Sequence, residues 1–395
     1  MKLIIRITLS LCLFCAGLAH AGVVVLQNSQ GVVINDSISF NGEVYNGDWY
    51  LPNGQVVGAV YLQHGFTRGG GNYRDLAVAL MNRGMMVLSI NAPMSGGNAS
   101  LAQRVADVLA SNPPVAPDGR QFPAQNLVLS GHSAGGLHVS LIAERMVNTG
   151  HASQLAGLVL YDPVNAFGPF GRAMDVLAPT SIPVRAVTAN GSLCNTFNDT
   201  QGDLRGLPRQ YVGIKLTDRS THVDSEGHNT DLVAQIACGF PREQNIVALR
   251  DFVVAWTEDM LTGSFSGDFY PGGARLNALL NGDDAKLIKV ASGTWITVLD
   301  ETIGESIYGS DKFTINVPNG PVGKVEITTR GGSGAADLYV RRDGAVSVWN
   351  YDCRDTGWGN NETCTLWGPG SYEILVKAGF WGYSGVNLKA RYIEY

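Results

Sequence analysis

The sequence predicts an α/β fold in a doubly wound, mostly parallel sheet over residues 22–290, followed by a small all-β sandwich over residues 291–395. Two patterns predict it. Through the first three-fifths of the 395 residues, apolar runs alternate with helical periodicity, an alternation that yields a parallel sheet covered on both faces with its working site at the C-terminal strand ends. From about Lys289 the helical periodicity stops, and short β-rich runs follow one another across glycine-rich turns, the spacing of a sandwich.

The first 21 residues read as a signal peptide. Lys2 and Arg6 open it, Ile7 to Ala16 form an apolar stretch, and Ala19-His20-Ala21 offers a small-x-small cleavage site before Gly22. The apolar stretch is shorter than the ~20 residues of a membrane span, and no later stretch reads as an integral span. Cys12 and Cys15 follow Leu11 and Phe14, not the small residue of a lipoprotein signal, so a secreted protein is expected. Cleavage would move the formal charge from −6 to −8, because Lys2 and Arg6 are lost. A mildly acidic surface argues against nucleic acid as a partner.

In the first part, strands are expected at Val57–Gln63, Met85–Asn91, Asn126–Ser130, Gly157–Tyr161, Val184–Ala189 and Tyr211–Leu216. Helices are expected at Tyr73–Arg83, Leu101–Leu109, Ser133–Val147, Thr230–Cys238 and Gln244–Leu261. Ahead of them, Val32–Tyr50 reads as an antiparallel start with Asn41-Gly42 as its hairpin turn. Leu276–Leu280 is amphipathic and should pack back on this first part. In the second part, strands are expected at Trp295–Leu299, Lys312–Val317, Lys324–Thr329, Asp337–Arg341, Tyr372–Lys377 and Val386–Tyr392.

Four cysteines follow the signal, and an exported chain meets an oxidising compartment. The two-part division selects Cys194–Cys238 and Cys353–Cys364 from three possible pairings. No Cys or His stands at zinc-ligand spacing near them. No metal and no organic cofactor is expected.

Gly131-His132-Ser133-Ala134-Gly135 lies between the apolar run Asn126–Ser130 and a helical segment carrying Leu137, Leu141 and Met146. With 49 glycines in the chain, the bare G-x-S-x-G pattern arises by chance roughly 0.4 times, so the strand–turn–helix context carries the reading of a nucleophile elbow. A serine hydroxyl needs a base, and the base an orienting acid. Of the histidines, only His222 and His228 follow the last strand of the first part. His222 stands in the polar loop directly after Tyr211–Leu216, whereas His228 is farther out and solvent-facing. For the acid, Asp162 ends the strand after the elbow helix, with Pro163 stiffening its turn; Asp199 and Asp203, in a later loop, are the alternatives. Gly65-Phe66 follows the Val57–Gln63 strand, so the Phe66 N–H and the Ala134 N–H can point at a developing oxyanion. Gly69-Gly70-Gly71 lacks the Gly-Lys-Ser/Thr ending of a phosphate loop. Phe66, Phe167 and Phe170 read either as an acyl or aryl pocket or as core packing.

Gln63-His64-Gly65-Phe66, Tyr73-Arg74-Asp75-Leu76, the Ser133 elbow, Asp162-Pro163 and His222 together resemble the α/β-hydrolase fold over about residues 30–285. Within it, the layout is similar to chlorophyllase-like and lipase-like esterases, whose acid occupies that Asp-Pro position. The resemblance implies Ser133 as nucleophile, His222 as base, Asp162 as acid, and Phe66 and Ala134 as oxyanion donors. Farther on, Gly331-Gly332-Ser333-Gly334-Ala335-Ala336-Asp337-Leu338-Tyr339-Val340-Arg341, Tyr351-Asp352-Cys353-Arg354, Gly359-Asn360-Asn361-Glu362-Thr363-Cys364 and Tyr383-Ser384-Gly385-Val386 closely resemble the bacterial pre-peptidase C-terminal domain. That resemblance implies an accessory for secretion, adhesion or substrate contact. Asp337 and Asp352 read as turn-capping aspartates before calcium ligands.

The expectation is a secreted, monomeric serine hydrolase cleaving small-molecule, lipid or polymeric carboxylic esters through an acyl-enzyme. A peptidase or amidase on the same triad, and a non-catalytic adhesion protein, are the rival readings.

Overall fold

The computed structural model describes residues 22–289, 293–318 and 322–394. The expected signal peptide and the expected boundary at residues 290–291 lie outside the described residues. The first ten strands are β1 (Val23–Gln27), β2 (Gly31–Phe40), β3 (Glu43–Pro52), β4 (Gly58–Gln63), β5 (Met85–Asn91), β6 (Leu127–His132), β7 (Leu155–Tyr161), β8 (Val184–Thr188), β9 (Gly213–Leu216) and β10 (Ala285–Leu287). They form one mixed sheet in the order β1-β2-β3-β5-β4-β6-β7-β8-β9-β10. β5-β4-β6-β7-β8-β9 is parallel throughout, and antiparallel strands flank it on both sides. The β2–β3 hairpin turns at Asn41 and Gly42, both left-handed (φ 50° and 89°), which is the conformation the sequence pair favours.

Parallel strands need crossovers, and here helices supply them. In chain order the crossovers are α1 (Arg74–Met81), α2 (Ala99–Ser111), α3 (Ala134–Asn148), α4 (Phe170–Leu177) and α5 (Gln201–Gly206); α6 (Leu232–Cys238), α7 (Glu243–Thr262) and α8 (Ala274–Asn281) follow β9 and lead to the antiparallel β10. α2, α3 and α4 bury their apolar stripes on one face of the sheet, around Leu101, Leu137, Ile142 and Phe170. α1, α7 and α8 cover the other, around Leu80, Phe252, Trp256 and Leu276. β4 and β6 are buried along their whole length, as strands covered on both faces must be. Among the described residues, no helix is long and apolar enough to cross a membrane.

Residues 294–394 build two four-stranded antiparallel sheets from β11 (Thr294–Ile303), β12 (Ser310–Val317), β13 (Val322–Arg330), β14 (Ser333–Arg342), β15 (Cys353–Asp355), β16 (Thr363–Trp367), β17 (Gly370–Ser384) and β18 (Val386–Glu394). Their orders are β11-β18-β13-β16 and β12-β17-β14-β15, and their inward faces share one apolar core that includes Val325, Leu338, Tyr372 and Leu388. β15 and β16, absent from the sequence expectation, carry Cys353 and Cys364. Both expected disulfides are present: Cys194–Cys238 and Cys353–Cys364. Asp352 accepts the Arg342 N–H at 2.8 Å, and Asp337 pairs across the ladder with Lys377. α8 buries Leu276 on the α/β core as expected. It also faces the second sheet pair: Asn277 Nδ2 donates to the Trp367 carbonyl at 2.8 Å, and Arg342 Nη1 to the Gly272 carbonyl at 3.0 Å.

Candidate active site

The end of β6 forces the chain through a turn that side chains cannot occupy. Ser133 sits between β6 and α3 with φ 56° and ψ −128°, a region a non-glycine residue enters only at a cost of about 1–3 kcal/mol. A Cβ on Gly131 would lie 2.3 Å from the Gly135 carbonyl oxygen, and one on Gly135 would lie 2.3 Å from that of His64. The two glycines are therefore required by the turn. The Ser133 N–H is held by the Tyr161 carbonyl at 3.1 Å, and its own carbonyl accepts from Val164 at 3.2 Å.

Asp162 follows β7, and His222 opens the 3-10 turn His222–Asn229 that follows β9. The Nδ1–H of His222 donates to Asp162 Oδ2 at 2.7 Å, with both side chains buried. Oδ1 of Asp162 accepts the Ala189 amide at 2.9 Å, and Oδ2 also accepts Asn195 Nδ2 at 2.9 Å. The alternatives stand elsewhere. Asp199 accepts the Asn165 amide. Asp203 packs by Gly171, and burial raises its pKa with help from Asp175 and Asp199. His228 is exposed and paired with Glu243 and Asp75.

Ser133 and His222 line one cleft of about 280 Å³, together with Phe66, Arg68, Val233, Ala237 and the Cys194–Cys238 bridge. Among the described residues the Ser133 hydroxyl makes no hydrogen bond to the imidazole, a contact that commonly tightens only with substrate present. The loop after β4 passes close beside the elbow: a Cβ on Gly65 would be 2.8 Å from Ser133 Cβ. The Ala134 N–H belongs to the first turn of α3, whose amides have no intrahelical acceptor. The Phe66 N–H has no backbone acceptor among the described residues. Both are available to an oxyanion.

Sequence reasoning missed three side chains. Nδ1–H of His64 donates to the Gly65 carbonyl at 2.8 Å, while Nε2 accepts the Ala92 amide at 3.2 Å. A trans peptide points its C=O and N–H in opposite directions, so holding the Gly65 oxygen also sets the Phe66 N–H. His132 donates from Nε2 to the His222 carbonyl at 2.9 Å and accepts the Tyr73 hydroxyl at Nδ1. Burial lowers the pKa of His64, and that of His132 much further. Asn195 is the third. In the sequence His64 and His132 stood only as motif neighbours, and nothing local marked Asn195.

Arg68 closes the cleft floor. Its Nε meets Glu226 Oε1 at 2.7 Å, a second bond joins the same carboxylate, and Nη1 meets Asp231 at 2.6 Å. Both charges lining the cleft are thus paired. Of the expected phenylalanines, Phe66 lines the cleft and Phe167 is fully exposed, but Phe170 is wholly buried in the α4 packing. For Phe170 the core-packing reading holds, because its helix turns it onto α3 and the sheet. A larger groove of about 760 Å³ lies between α1, α7 and residues 266–269. It contains none of these groups, and its Arg83 pairs with Glu258.

Comparison with known proteins yields a family match in the second part and relatives of mixed chemistry. The chain is 34% identical over 106 residues to alkaline serine exoprotease A of Vibrio alginolyticus, covering 26% of this chain and 18% of that protein. It is 37% identical over 275 residues to an extracellular protease of Xanthomonas campestris pv. campestris, covering 67% of this chain and 43% of the relative. A carbendazim hydrolyzing esterase of Nocardioides sp. is 32% identical over 163 residues, covering 39% of this chain and 61% of the esterase. The chain thus spans less than half the length of the first two relatives. Residues 309–378 match the family of the bacterial pre-peptidase C-terminal domain, and this part of the chain is such a domain.

Proposed function

We propose that the chain is a secreted serine hydrolase of the α/β-hydrolase fold that cleaves carboxylic esters through Ser133, His222 and Asp162. The observation that carries this reading is the buried 2.7 Å bond from His222 Nδ1 to Asp162 at the cleft that Ser133 lines. Asp162 keeps the proton of the imidazole on Nδ1, leaving Nε2 free to accept. Ser133 Oγ attacks the ester carbonyl carbon while Nε2 takes its proton, and the carbonyl π pair moves onto oxygen. That oxyanion lies between the Phe66 and Ala134 amides, where one donor is worth about 2.7–4 kcal/mol in the transition state. Collapse expels the alcohol, protonated from His222, and leaves the acyl-serine. Water, deprotonated by the same imidazole, releases the acid and restores Ser133.

Esters are favoured over peptides by the lining of the cleft. Arg68 and Glu226 neutralise each other, so no free charge is present to bind a charged side chain. Phe66 and Val233 line the cleft and are exposed, apolar side chains suited to uncharged acyl or aryl groups. Peptide hydrolysis is the second reading, favoured by the proteases among the relatives. Secretion is supported by the extracellular relative and by the signal-like first 21 residues.

The test is labelling by a fluorophosphonate probe, with parallel assays on nitrophenyl esters and on casein or aminoacyl anilides. Wild type should label and favour the esters, and Ser133→Ala should do neither. Turnover surviving in Ser133→Ala would sink the reading, and a preference for the anilides would select the peptidase.

A further inference from the structure

We propose that Asn195 is a positioning residue for Asp162 and that the Cys194–Cys238 bridge holds it in place, so that turnover depends on this disulfide. The proposal rests on the reading of Ser133, His222 and Asp162 given above, and concerns how that site is kept in register.

Asn195 is completely buried. Its Nδ2 lies 2.9 Å from Asp162 Oδ2, 2.8 Å from the Asn190 carbonyl and 2.9 Å from Asn198 Oδ1, while its Oδ1 accepts the Ser192 amide at 2.7 Å. An amide has two hydrogens for those three acceptors, so its orientation is fixed by the loop as a whole. Asp162 Oδ2 is the same oxygen that receives the imidazole proton at 2.7 Å. A shift of Asn195 therefore acts on the atom that orients His222.

The loop that carries Asn195 is held by polar contacts, Asn198 Nδ2 donating to the Ala189 carbonyl at 3.1 Å and Thr200 Oγ1 to the Pro163 carbonyl at 2.7 Å, and by little else of its own. Thr196, Phe197 and Asn198 all have positive φ (46°, 53° and 60°), three successive non-glycine residues in a region that side chains disfavour. Leu193 and Phe197 point outward and are mostly exposed, so little apolar burial anchors the segment. Its covalent anchor is Cys194, the residue before Asn195, bonded to Cys238 at the C-terminal end of α6. α6 is short and exposes Leu232, Val233 and Ile236. Its capping residue Asp231 is gripped by Arg68, which also grips Glu226 in the His222 turn. The bridge thus ties the loop after β8, which steadies the acid, to the helix that follows the base. Opening the bridge removes that tie.

The experiment uses the full chain and compares Asn195→Ala, Cys194→Ser/Cys238→Ser, their combination, and Cys353→Ser/Cys364→Ser as a control for the other bridge. For each, kcat and KM are measured on a soluble nitrophenyl ester, alongside the fluorophosphonate labelling rate and the circular dichroism spectrum. Asn195→Ala and Cys194→Ser/Cys238→Ser should each lower kcat at least about tenfold with KM changed less than about twofold. The combination should lose little beyond the larger single effect, since both act through one contact. The control should retain its kcat. A kcat within about twofold of wild type in either Asn195→Ala or a folded Cys194→Ser/Cys238→Ser overturns the proposal, as does a combination whose losses multiply. If Cys194→Ser/Cys238→Ser does not fold, the Cys353→Ser/Cys364→Ser chain is assayed before and after reduction, where only Cys194–Cys238 remains to open, and a kcat unchanged by reduction overturns the proposal. Turnover persisting in Ser133→Ala overturns the hydrolase reading and this inference with it. Loss in Ser133→Ala with normal Asn195→Ala overturns this inference alone.

Discussion

Asp162→Asn changes one oxygen to an NH2 in a pocket that contains only donors. Oδ1 faces the Ala189 N–H at 2.9 Å; Oδ2 faces His222 Nδ1 at 2.7 Å and Asn195 Nδ2 at 2.9 Å. If the new amide turns its NH2 toward Ala189, two buried donors oppose each other, at a cost of about 1–3 kcal/mol. If it turns its NH2 toward His222 and Asn195, the imidazole can relieve the clash by moving its proton from Nδ1 to Nε2, and Asn195 can direct its two hydrogens to the Asn190 carbonyl and Asn198 Oδ1. The second arrangement is the cheaper, and it places a proton on the nitrogen that must accept one from Ser133. Turnover should fall by roughly 10⁴, the size of a tautomer defect in a serine triad, or about 5 kcal/mol of barrier. The assay is kcat/KM on a soluble nitrophenyl ester with a thermal melt of each variant, and Asp199→Asn and Asp203→Asn as controls. Melting should change little, since the fold and the volume are kept. An Asp162→Asn enzyme within about tenfold of wild type, or a comparable loss in Asp199→Asn, would refute the assignment of the acid.

Three further outcomes are expected. His64→Ala frees the Gly65 carbonyl and with it the Phe66 amide, so kcat should drop by about ten- to a hundredfold, short of the 10²–10³ of losing a donor outright, with KM little moved; unchanged kcat would remove His64 from the oxyanion loop. His138 is buried with its pKa lowered to about 4 by desolvation, so between the unfolded value near 6.5 and 4 the unfolded chain binds more protons and stability falls as pH falls. Wild type should lose on the order of 3 kcal/mol more than His138→Gln across that window, and parallel denaturation curves from pH 7 to pH 4 would contradict it. A chain of residues 22–290 should stay soluble and keep its rate on soluble esters, because the two parts have separate cores and neither disulfide joins them; aggregation on truncation would show that the contacts of Asn277 with Trp367 and of Gly272 with Arg342 are essential.

How much of this was legible in the sequence follows from how local each signal is. The buried strands Gly58–Gln63 and Met85–Asn91 were found nearly to the residue, because covered parallel strands are continuous apolar runs between turn residues. The elbow was legible because sterics alone demand glycine at residues 131 and 135. α4 was missed where Gly171 interrupts a Phe170–Leu177 helix after a Gly-Pro pair, and β15 is only three residues long. Phe170 shows a different limit: its type fits a pocket or a core equally well, and only the direction of its helix decides. Asn195 and Tyr73 were out of reach for a third reason. Their partners, Asp162 and His132, lie 33 and 59 residues away, so no spacing encodes the contact.

The two buried histidines beside the proposed site share one electrostatic consequence. The His132 ring lies with its centre 4.3 Å from that of the His222 ring, tilted by 40°, and His64 holds the neighbouring loop. In the proposed reaction His222 becomes an imidazolium, and a second charge at that separation would oppose it by about 4 kcal/mol at an effective dielectric near 20, roughly three powers of ten in rate. The fold avoids this by burying His64 and His132 so deeply that their protonated forms are disfavoured. Each then works as a neutral hydrogen-bond donor to a backbone carbonyl, Gly65 in one case and His222 in the other. The burial that makes these rings poor bases is what lets them stand beside a working one.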